Sequence, residues 1–150
     1  MSTQVDFYLL SDSEPRAALK TACRLAEKAC DQGRKVVVRT DSSAATAQFD
    51  DLLWTFSDRS FVPHCIWPGD PQLVAATPVL VANSSGPDTH RDVLINLAPR
   101  APDDGAVFER VLEIVAADDA AKQLARSRWR SYRDAGLDPK SHTLSKSHTL

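Results

Sequence analysis

Along the first third of the chain, short apolar runs typical of strands alternate with segments in which apolar residues recur at helical spacing. Residues 5–10 form an apolar run typical of a strand, and small apolar residues then recur at helical spacing between Pro15 and Gly33. Three consecutive valines within residues 35–39 suit a strand buried on both faces, and polar capping residues follow, before a predicted helix that ends near Trp54. This β-α-β-α order predicts an α/β domain built on a mainly parallel sheet.

The pattern is less regular in the middle of the chain. Residues 58–72 are rich in proline and aromatic residues, which predicts a loop. Residues 78–82 and 92–97 are short apolar runs typical of strands, and the polar stretch between them predicts a turn region. Residues 110–115 are rich in β-branched side chains but continue a helical spacing of apolar residues, so we expect a short helix that leads into a strand.

A last helix is predicted between Asp118 and Gly136. Acidic residues at its start complement the helix dipole, while Gly136 and Pro139 supply a left-handed stop and a helix breaker. At about 100° per residue, one arc of roughly 100° holds Lys122, Arg126, Trp129, Arg130 and Arg133. The opposite, packing side holds Ala121, Leu124, Ala125, Tyr132 and Ala135. We therefore predict a C-terminal basic helix that packs on one side and presents cations around an aromatic ring on the other.

Arg128 departs from this two-sided pattern, because it points toward the packing side of the same helix. Its aliphatic stem can cover apolar surface there, while the guanidinium reaches the edge of the core or a carboxylate. The sequence by itself leaves that carboxylate unassigned.

Length and composition indicate one domain. With 150 residues, 43% of them hydrophobic, the chain can bury one core. We assign residues 1–138 to this domain and residues 139–150 to a disordered tail, in which Ser-His-Thr-Leu occurs twice without a pattern that would pack. Residues 122–150 carry seven Lys or Arg against two Asp, or +5, which leaves −7 of the formal charge of −2 for residues 1–121. The basic helix is thus a local feature of an acidic body.

Several kinds of chemistry lack their usual sequence signals. The five glycines lie too far apart for the dinucleotide-binding fingerprint or the P-loop, and the three cysteines fit neither a zinc site nor a disulfide framework. We therefore expect no cofactor and no metal. The apolar runs are too short to span a bilayer, and no basic residue precedes Asp6 as in a signal peptide, so we expect a cytoplasmic protein without a membrane partner.

His64, Cys65 and His90 are the residues on which an enzymatic hypothesis would rest. Neighbours in an extended segment point to opposite faces, so His64 and Cys65 make a poor nucleophilic dyad. His90 and Asp92 could form an acid–base pair, yet histidines and aspartates in loops are usually solvated or capping. We expect a chain that is not catalytic by itself, with an unrecognised enzymatic site as an alternative.

Several separated stretches of the chain resemble one family. They are 7–10 (FYLL), 53–54 (LW), 60–64 (SFVPH), 91–97 (RDVLINL), and 122–126 (KQLAR) running on to 132–133 (YR) and Gly136. In this order, and over nearly the whole domain, they resemble the chi subunit of bacterial DNA polymerase III holoenzyme. Each motif alone is a weak signal of the family, but together with the total length they make the resemblance specific.

The resemblance implies a Rossmann-like, three-layer fold that binds no nucleotide, in a non-catalytic accessory subunit of the clamp-loader complex used in DNA replication. The family pairs with the psi subunit and holds the acidic C-terminal tail of single-stranded DNA-binding protein, which links it to single-stranded DNA indirectly. The positions that match the tail-binding residues are Lys122, Arg126, Trp129 and Arg130, with Arg133 on the same face. The positions implied to face psi are Trp54, Phe61 and Pro63. The family member compared has tyrosine where this chain has Trp129, and lysine where this chain has Arg130. The first position thus stays aromatic and the second stays basic.

An acidic peptide that ends in an apolar residue complements the predicted basic face. Arginine offers bidentate recognition of carboxylates, lysine a longer-range point charge, and Trp129 a wall for the apolar terminal side chain. Because exposed ion pairs contribute only about 0–1 kcal/mol each, several must act together. We expect salt-dependent binding in the micromolar range, with a binding free energy of about −8 kcal/mol.

The sequence leaves other interpretations of the basic helix and of the surface implied to face psi open. The basic helix could bind single-stranded nucleic acid directly, with its cations on phosphates and Trp129 stacked on a base, although the rest of the domain is acidic. Charged stripes are also common on helix faces that only meet solvent. On the surface implied to face psi, Trp54 could instead close its helix against the core, and Phe61 could fill a loop cluster.

Overall fold

In this computed structural model, which describes residues 3–144, strands and helices alternate along the chain. The strands are β1 (Gln4–Leu10), β2 (Val36–Arg39), β3 (His64–Ile66), β4 (Val79–Ala82), β5 (Val93–Asn96), β6 (Arg110–Val115) and β7 (Lys140–Leu144). The helices are α1 (Ala17–Asp31), α2 (Ser43–Thr55), α3 (Pro71–Ala76) and α4 (Asp119–Asp134). A short 3₁₀ helix at Gly105–Val107 precedes β6.

The strands form one sheet in the order β3-β4-β2-β5-β6-β1-β7, and the pairings between these described strands are all parallel. Parallel sheets are usually buried on both faces, and their strands are then continuously apolar. β4 and β5 follow this rule with every residue buried, and β2 departs from it only at Arg39. The predicted α/β class with a mainly parallel sheet is confirmed.

Helices cover both faces of the sheet. Val36 and Val38 of β2 belong to a core shared with α1 and α2, whereas Val37 belongs to a second core shared with α4. Successive residues of a strand point to opposite faces, which is why three consecutive valines can all be buried. The three-layer arrangement is therefore present, with α4 on the face opposite α1 and α2.

Local sequence signals set the ends of the first two helices. Gly33 follows α1 with a φ of +77°, a left-handed conformation that favours glycine. The Ser42 hydroxyl accepts a hydrogen bond from the Ala45 N–H at 3.1 Å and caps the start of α2. The predictions for these elements, and for the strands within residues 78–82 and 92–97, are confirmed to within a few residues.

The loop predicted at residues 58–72 is wrong in part, because the segment contains β3 and the start of α3. β3 has three residues and pairs with β4 at one edge of the sheet, which is too short for a readable period. α3 begins at Pro71, after Asp70, whose carboxylate accepts a hydrogen bond from the Gln72 N–H at 2.9 Å.

The short helix expected within residues 110–115 is also wrong, because β6 takes the whole segment. β6 pairs on both sides, with β1 and with β5, and all its residues except Arg110 are buried. The helical turn that precedes it lies farther upstream, at Gly105–Val107. Tertiary pairing here overrides the local helical spacing.

The largest departure from the sequence predictions is β7. The disordered tail predicted for residues 139–150 is wrong for Lys140–Leu144, which form an edge strand beside β1. Residues 145–150, which hold the second copy of the repeat, lie outside the described residues. Most of β7 is exposed, so its sequence carries no apolar period that would predict a strand.

Long-range contacts hold β7 in place. Leu144 is buried, and its carbonyl accepts hydrogen bonds from the N–H and the hydroxyl of Ser11 at 3.0 Å and 2.9 Å. His142 Nε2 lies 2.8 Å from Oδ1 of the buried Asp6 carboxylate, and its ring stacks on Tyr8 with the ring centroids 5.3 Å apart. The folded domain therefore includes Lys140–Leu144.

Candidate functional site

A cavity of about 310 Å³ lies between α4 and the strands at the β7 edge of the sheet. Its apolar lining is Phe7, Leu9 and Leu10 of β1, Val115 and Ala116 at the end of β6, and Ala125 and Trp129 of α4. Three polar residues complete the lining: Lys122 and Arg126 of α4, and Ser141 of β7. The cavity thus combines a mostly apolar wall with two cations from one helix.

The position of α4 explains where the cavity lies. The Asp118 carboxylate caps the helix by accepting a hydrogen bond from the Ala121 N–H at 3.1 Å, shortly after β6 ends at Val115. The helix therefore starts near the carboxyl ends of the parallel strands, the end at which ligands bind in open α/β sheets. Lys122 and Arg126 are one helical turn apart, so both side chains reach the same side of the cavity.

Trp129 forms the aromatic wall of this cavity. Its ring lies 5.1 Å, centroid to centroid, from the ring of Phe7 in β1, with the two planes tilted by 53°. Phe7 also meets the ring of Tyr132 edge-on, with the centroids 5.8 Å apart. Trp129 is half-buried as a result, which differs from the fully presented ring that the helical projection predicts.

Three of the five predicted tail-binding residues line the cavity: Lys122, Arg126 and Trp129. The other two, Arg130 and Arg133, are exposed on α4 outside the cavity lining. Within residues 3–144, none of these four cations forms an ion pair. An anionic partner would therefore meet basic side chains that no ion pair already holds.

The packing side of α4 differs in two positions from the predicted one. Ala125 and Tyr132 are buried as predicted, but Leu124 is 50% exposed and Ala135 is exposed as well. The helix is rotated so that the edge carrying Trp129, and not the edge carrying Leu124, meets the sheet. Periodicity locates an apolar arc only approximately, whereas contact with the sheet decides its centre.

The carboxylate that Arg128 reaches is Glu113 of β6. Arg128 Nε donates to Glu113 Oε1 at 2.8 Å, and the Tyr132 hydroxyl donates to Oε2 at 2.6 Å. Burial raises the pKa of Glu113, while the Arg128 charge and the hydrogen bonds to the carboxylate oppose that shift. Burial and the Glu113 charge raise the pKa of Tyr132, which keeps its hydroxyl a donor.

Sequence reasoning missed the strand residues that line the cavity. Val115 ends a buried strand and Ala116 follows it, so the carboxyl-end rule for parallel sheets could have indicated them. Ser141 had no such signal, because its segment reads as a polar tail. Which apolar residues of β1 face α4 also depends on the strand order, which the sequence does not contain.

A second candidate surface lies at the opposite edge of the sheet, beside β3. Trp54 is 54% exposed and Phe61 is 70% exposed, and their ring centroids lie 5.8 Å apart. Trp54 also packs on His64 of β3, with the centroids 4.5 Å apart, while Pro63 is half-buried. This exposure argues against the alternative in which Trp54 closes its helix against the core and Phe61 fills a loop cluster, because the two rings contact each other and stay open to solvent.

Comparison with known proteins assigns the family. Residues 1–140 match the family described as DNA polymerase III chi subunit, HolC. The chain belongs to the chi subunit family of DNA polymerase III. This membership connects it with DNA replication, as the resemblance implies.

Three relatives named DNA polymerase III subunit chi illustrate the similarity within the chi family. The protein of Pseudomonas aeruginosa is 39% identical over 142 residues, which cover 95% of this chain and 97% of the relative. The protein of Haemophilus influenzae is 31% identical over 137 residues, covering 91% of this chain and 94% of the relative. The protein of Escherichia coli K12 is 30% identical over 137 residues, covering 88% and 92%. The alignments thus span nearly the full length of each relative.

His64 and His90 of this chi family member are engaged in the fold. Nδ1 and Nε2 of His64 lie 2.6 Å and 3.1 Å from the carbonyl oxygens of Val62 and Asp50. His90 Nε2 lies 2.6 Å from the Thr77 carbonyl oxygen, and Nδ1 lies 2.8 Å from a threonine hydroxyl. Such contacts give both rings a structural role. Within the described residues, no group of three or more potential metal ligands occurs, and no helix is long and apolar enough to cross a membrane.

Burial of His90 predicts a pH dependence of stability. Desolvation lowers the pKa of His90 below its ordinary value of 6.5, so the unfolded chain takes up this proton first as the pH falls. The stability that neutral His90 provides is therefore complete above pH 6.5 and is lost below it, by up to about 1.4 kcal/mol per pH unit. Urea unfolding between pH 7.5 and 5.5 should show this loss, and His90→Gln should flatten it. An equal slope in both proteins would contradict the assignment.

Proposed function

We propose that this chain is a non-catalytic accessory subunit that bridges the psi subunit and the acidic C-terminal tail of single-stranded DNA-binding protein in DNA replication. The observation that carries the proposal is the cavity beside α4, which has a mostly apolar wall and two cations. A peptide end with an apolar side chain next to carboxylates has the complementary chemistry. Membership in the chi family supports the same role.

The cavity suits the end of a peptide better than a large ligand. Its volume of about 310 Å³ is at the lower limit of ordinary ligand pockets. An aromatic terminal side chain would pack against Trp129 and the apolar ends of β1 and β6. Its α-carboxylate would then lie near Arg126, whose planar guanidinium can bind both oxygens, with Lys122 as a second cation.

Arg130 and Arg133 extend this surface beyond the cavity. Neither lines the cavity, so their contribution is that of surface charges that attract acidic residues upstream of the peptide end. Such attraction weakens as salt screens it. We therefore assign end recognition to Lys122, Arg126 and Trp129, and longer-range attraction to the two outer arginines.

The exposed pair Trp54 and Phe61, with Pro63 beside them, is the surface that we assign to psi. Exposed aromatic residues that touch each other are typical centres of protein interfaces. This pair lies beside β3 at one edge of the sheet, whereas the cavity lies beside β7 at the other edge. Two partners could therefore bind at the same time, as a bridging subunit requires.

The experiment that tests tail binding uses fluorescence anisotropy of a labelled acidic peptide ending in Pro-Phe. The full chain should bind it with a Kd in the micromolar range, and amidation of the terminal carboxylate should weaken binding at least tenfold. A single-stranded oligonucleotide of equal charge is the third arm. Equal affinity for the amidated peptide, or tighter binding of the oligonucleotide than of the peptide, would contradict the proposal.

We expect Phe61→Ala to weaken binding of the cognate psi subunit about tenfold, because it removes an exposed aromatic side chain from the centre of the assigned surface. Its stability should change little, since Phe61 is 70% exposed. Val107→Ala is the matched control, because Val107 is 54% exposed and lies in the 3₁₀ helix away from this surface. Calorimetric titration with psi measures the affinity of both variants. Equal affinities would contradict the assignment of this surface to psi.

A further inference from the structure

A fully buried carboxylate lies beneath α4, next to the helix turn that carries Trp129. Glu113 Oε1 accepts a hydrogen bond from Arg128 Nε at 2.8 Å. Its Oε2 accepts from the Tyr132 hydroxyl at 2.6 Å and from Asn96 Nδ2 at 2.9 Å. The cluster therefore ties α4 to β6 and β5 through three directed contacts.

Two of these contacts come from the same face of α4. Arg128 and Tyr132 are four residues apart, one helical turn, and both reach the one carboxylate of Glu113. Arg128 also donates from Nη1 to the Pro99 carbonyl at 3.2 Å. Apolar burial has no directional requirement, whereas hydrogen bonds weaken steeply when they are misaligned. These anchors therefore specify one rotation of α4 about its axis, which its apolar contacts through Ala125, Trp129 and the Tyr132 ring do not by themselves require.

Rotation of α4 would change the cavity. Trp129 is the next residue after Arg128, and Arg126 lies two residues before Arg128. All three side chains therefore move together when this turn of helix rotates. For a side chain about 5 Å from the helix axis, a rotation of roughly 20° is a displacement of about 2 Å. A displacement of that size would break the contact between Trp129 and Phe7 and alter the cavity wall.

Stability alone does not account for an ion pair at this position. Buried ion pairs can often be replaced by apolar residues of similar volume without loss of stability, while some of them specify one arrangement among several. We propose that Glu113, Arg128 and Tyr132 are positioning residues of the cavity, which fix the rotation of α4 so that Trp129 and Arg126 face one ligand together. The inference rests on the proposed binding of the acidic tail at this cavity.

The test is an apolar replacement of the whole cluster, Glu113→Leu with Arg128→Met and Tyr132→Phe. This variant leaves no buried charge unpaired, so its Tm should stay within a few degrees of that of the unsubstituted protein. Its affinity for the acidic peptide ending in Pro-Phe should nevertheless fall about tenfold. In the absence of peptide, the indole N–H resonance of Trp129 should shift, because the ring no longer sits on Phe7. A variant that is stable, binds normally and keeps the resonance would overturn the proposal.

A milder variant covers the case in which the triple variant does not fold. Tyr132→Phe removes one of the two anchors from α4 and leaves the ion pair intact, and it should weaken peptide binding about threefold with a smaller shift of the Trp129 resonance. An unchanged resonance and affinity would count against positioning. The resonance is read without peptide, so it tests positioning even if the unsubstituted protein fails to bind the tail, an outcome that would refute the proposed function alone.

Discussion

Arg128→Met is expected to lower the free energy of unfolding by about 3–5 kcal/mol, because it leaves the Glu113 carboxylate buried without its cation. The remaining donors, Tyr132 and Asn96, are neutral and cannot replace that charge. Urea unfolding of the purified chain measures the change. Arg130→Met is the matched control, since it makes the same substitution on an exposed face of α4 and should change stability by less than about 0.5 kcal/mol.

The pH dependence of Arg128→Met gives a second check. Loss of Arg128 removes the main charge that lowers the pKa of Glu113, so burial should raise this pKa further in the folded variant. A group whose folded pKa lies above its unfolded value stabilises the protein most at low pH and loses that stability as the pH rises. The stability deficit of the variant should therefore shrink as the pH falls toward the ordinary value of 4.5 for glutamate. A deficit that does not change with pH would mean that the loss has another cause.

Arg126→Ala is expected to weaken binding of the acidic peptide by about tenfold to a hundredfold, with little change in stability. Charge-assisted hydrogen bonds contribute about 1.5–3 kcal/mol, more than an exposed ion pair, when part of the site is desolvated. Arg126 is itself exposed, but it lines the cavity beside Trp129, where a bound apolar side chain would exclude water from the contact. The anisotropy titration of the labelled peptide measures the effect.

Arg133→Ala separates the cavity from the general charge of the helix. Arg133 belongs to the same helix and carries the same charge, but it lies outside the cavity lining. We expect a loss of less than about threefold, which should disappear at high salt, whereas the loss for Arg126→Ala should persist. Equal effects of the two variants would mean that α4 attracts anions by charge alone, which is the arrangement expected for direct binding of nucleic acid.

Much of the fold follows from local patterns. The triple valine of β2 predicts a strand buried on both faces, and Ser42 and Gly33 mark helix ends that the structure confirms. These signals are readable because helix caps and apolar periods involve residues only a few positions apart. Very short elements escape this reasoning, as the three residues of β3 show, because no period can be counted in them.

The candidate site was only partly predictable, because the sequence shows local spacing along one helix but not the contacts between distant segments. Helical spacing selects Lys122, Arg126 and Trp129, and these three line the cavity. The spacing misplaces Leu124, because an amphipathic pattern defines a broad arc and not the line of contact with the sheet. The opposite wall comes from β1 and β7, whose pairing joins residues more than a hundred positions apart.

The sequence by itself determined the α/β class, the extent of the last helix, its cations and the family to which the chain belongs. Only the tertiary structure decided that Glu113 is the carboxylate beneath Arg128, that Lys140–Leu144 complete the sheet, and that Trp129 stands against Phe7 as a cavity wall. Periodicity and capping act between neighbours along the chain, so a sequence displays them directly. Ion pairs, edge strands and cavities arise between distant segments, and they exist only once the strand order has brought those segments together.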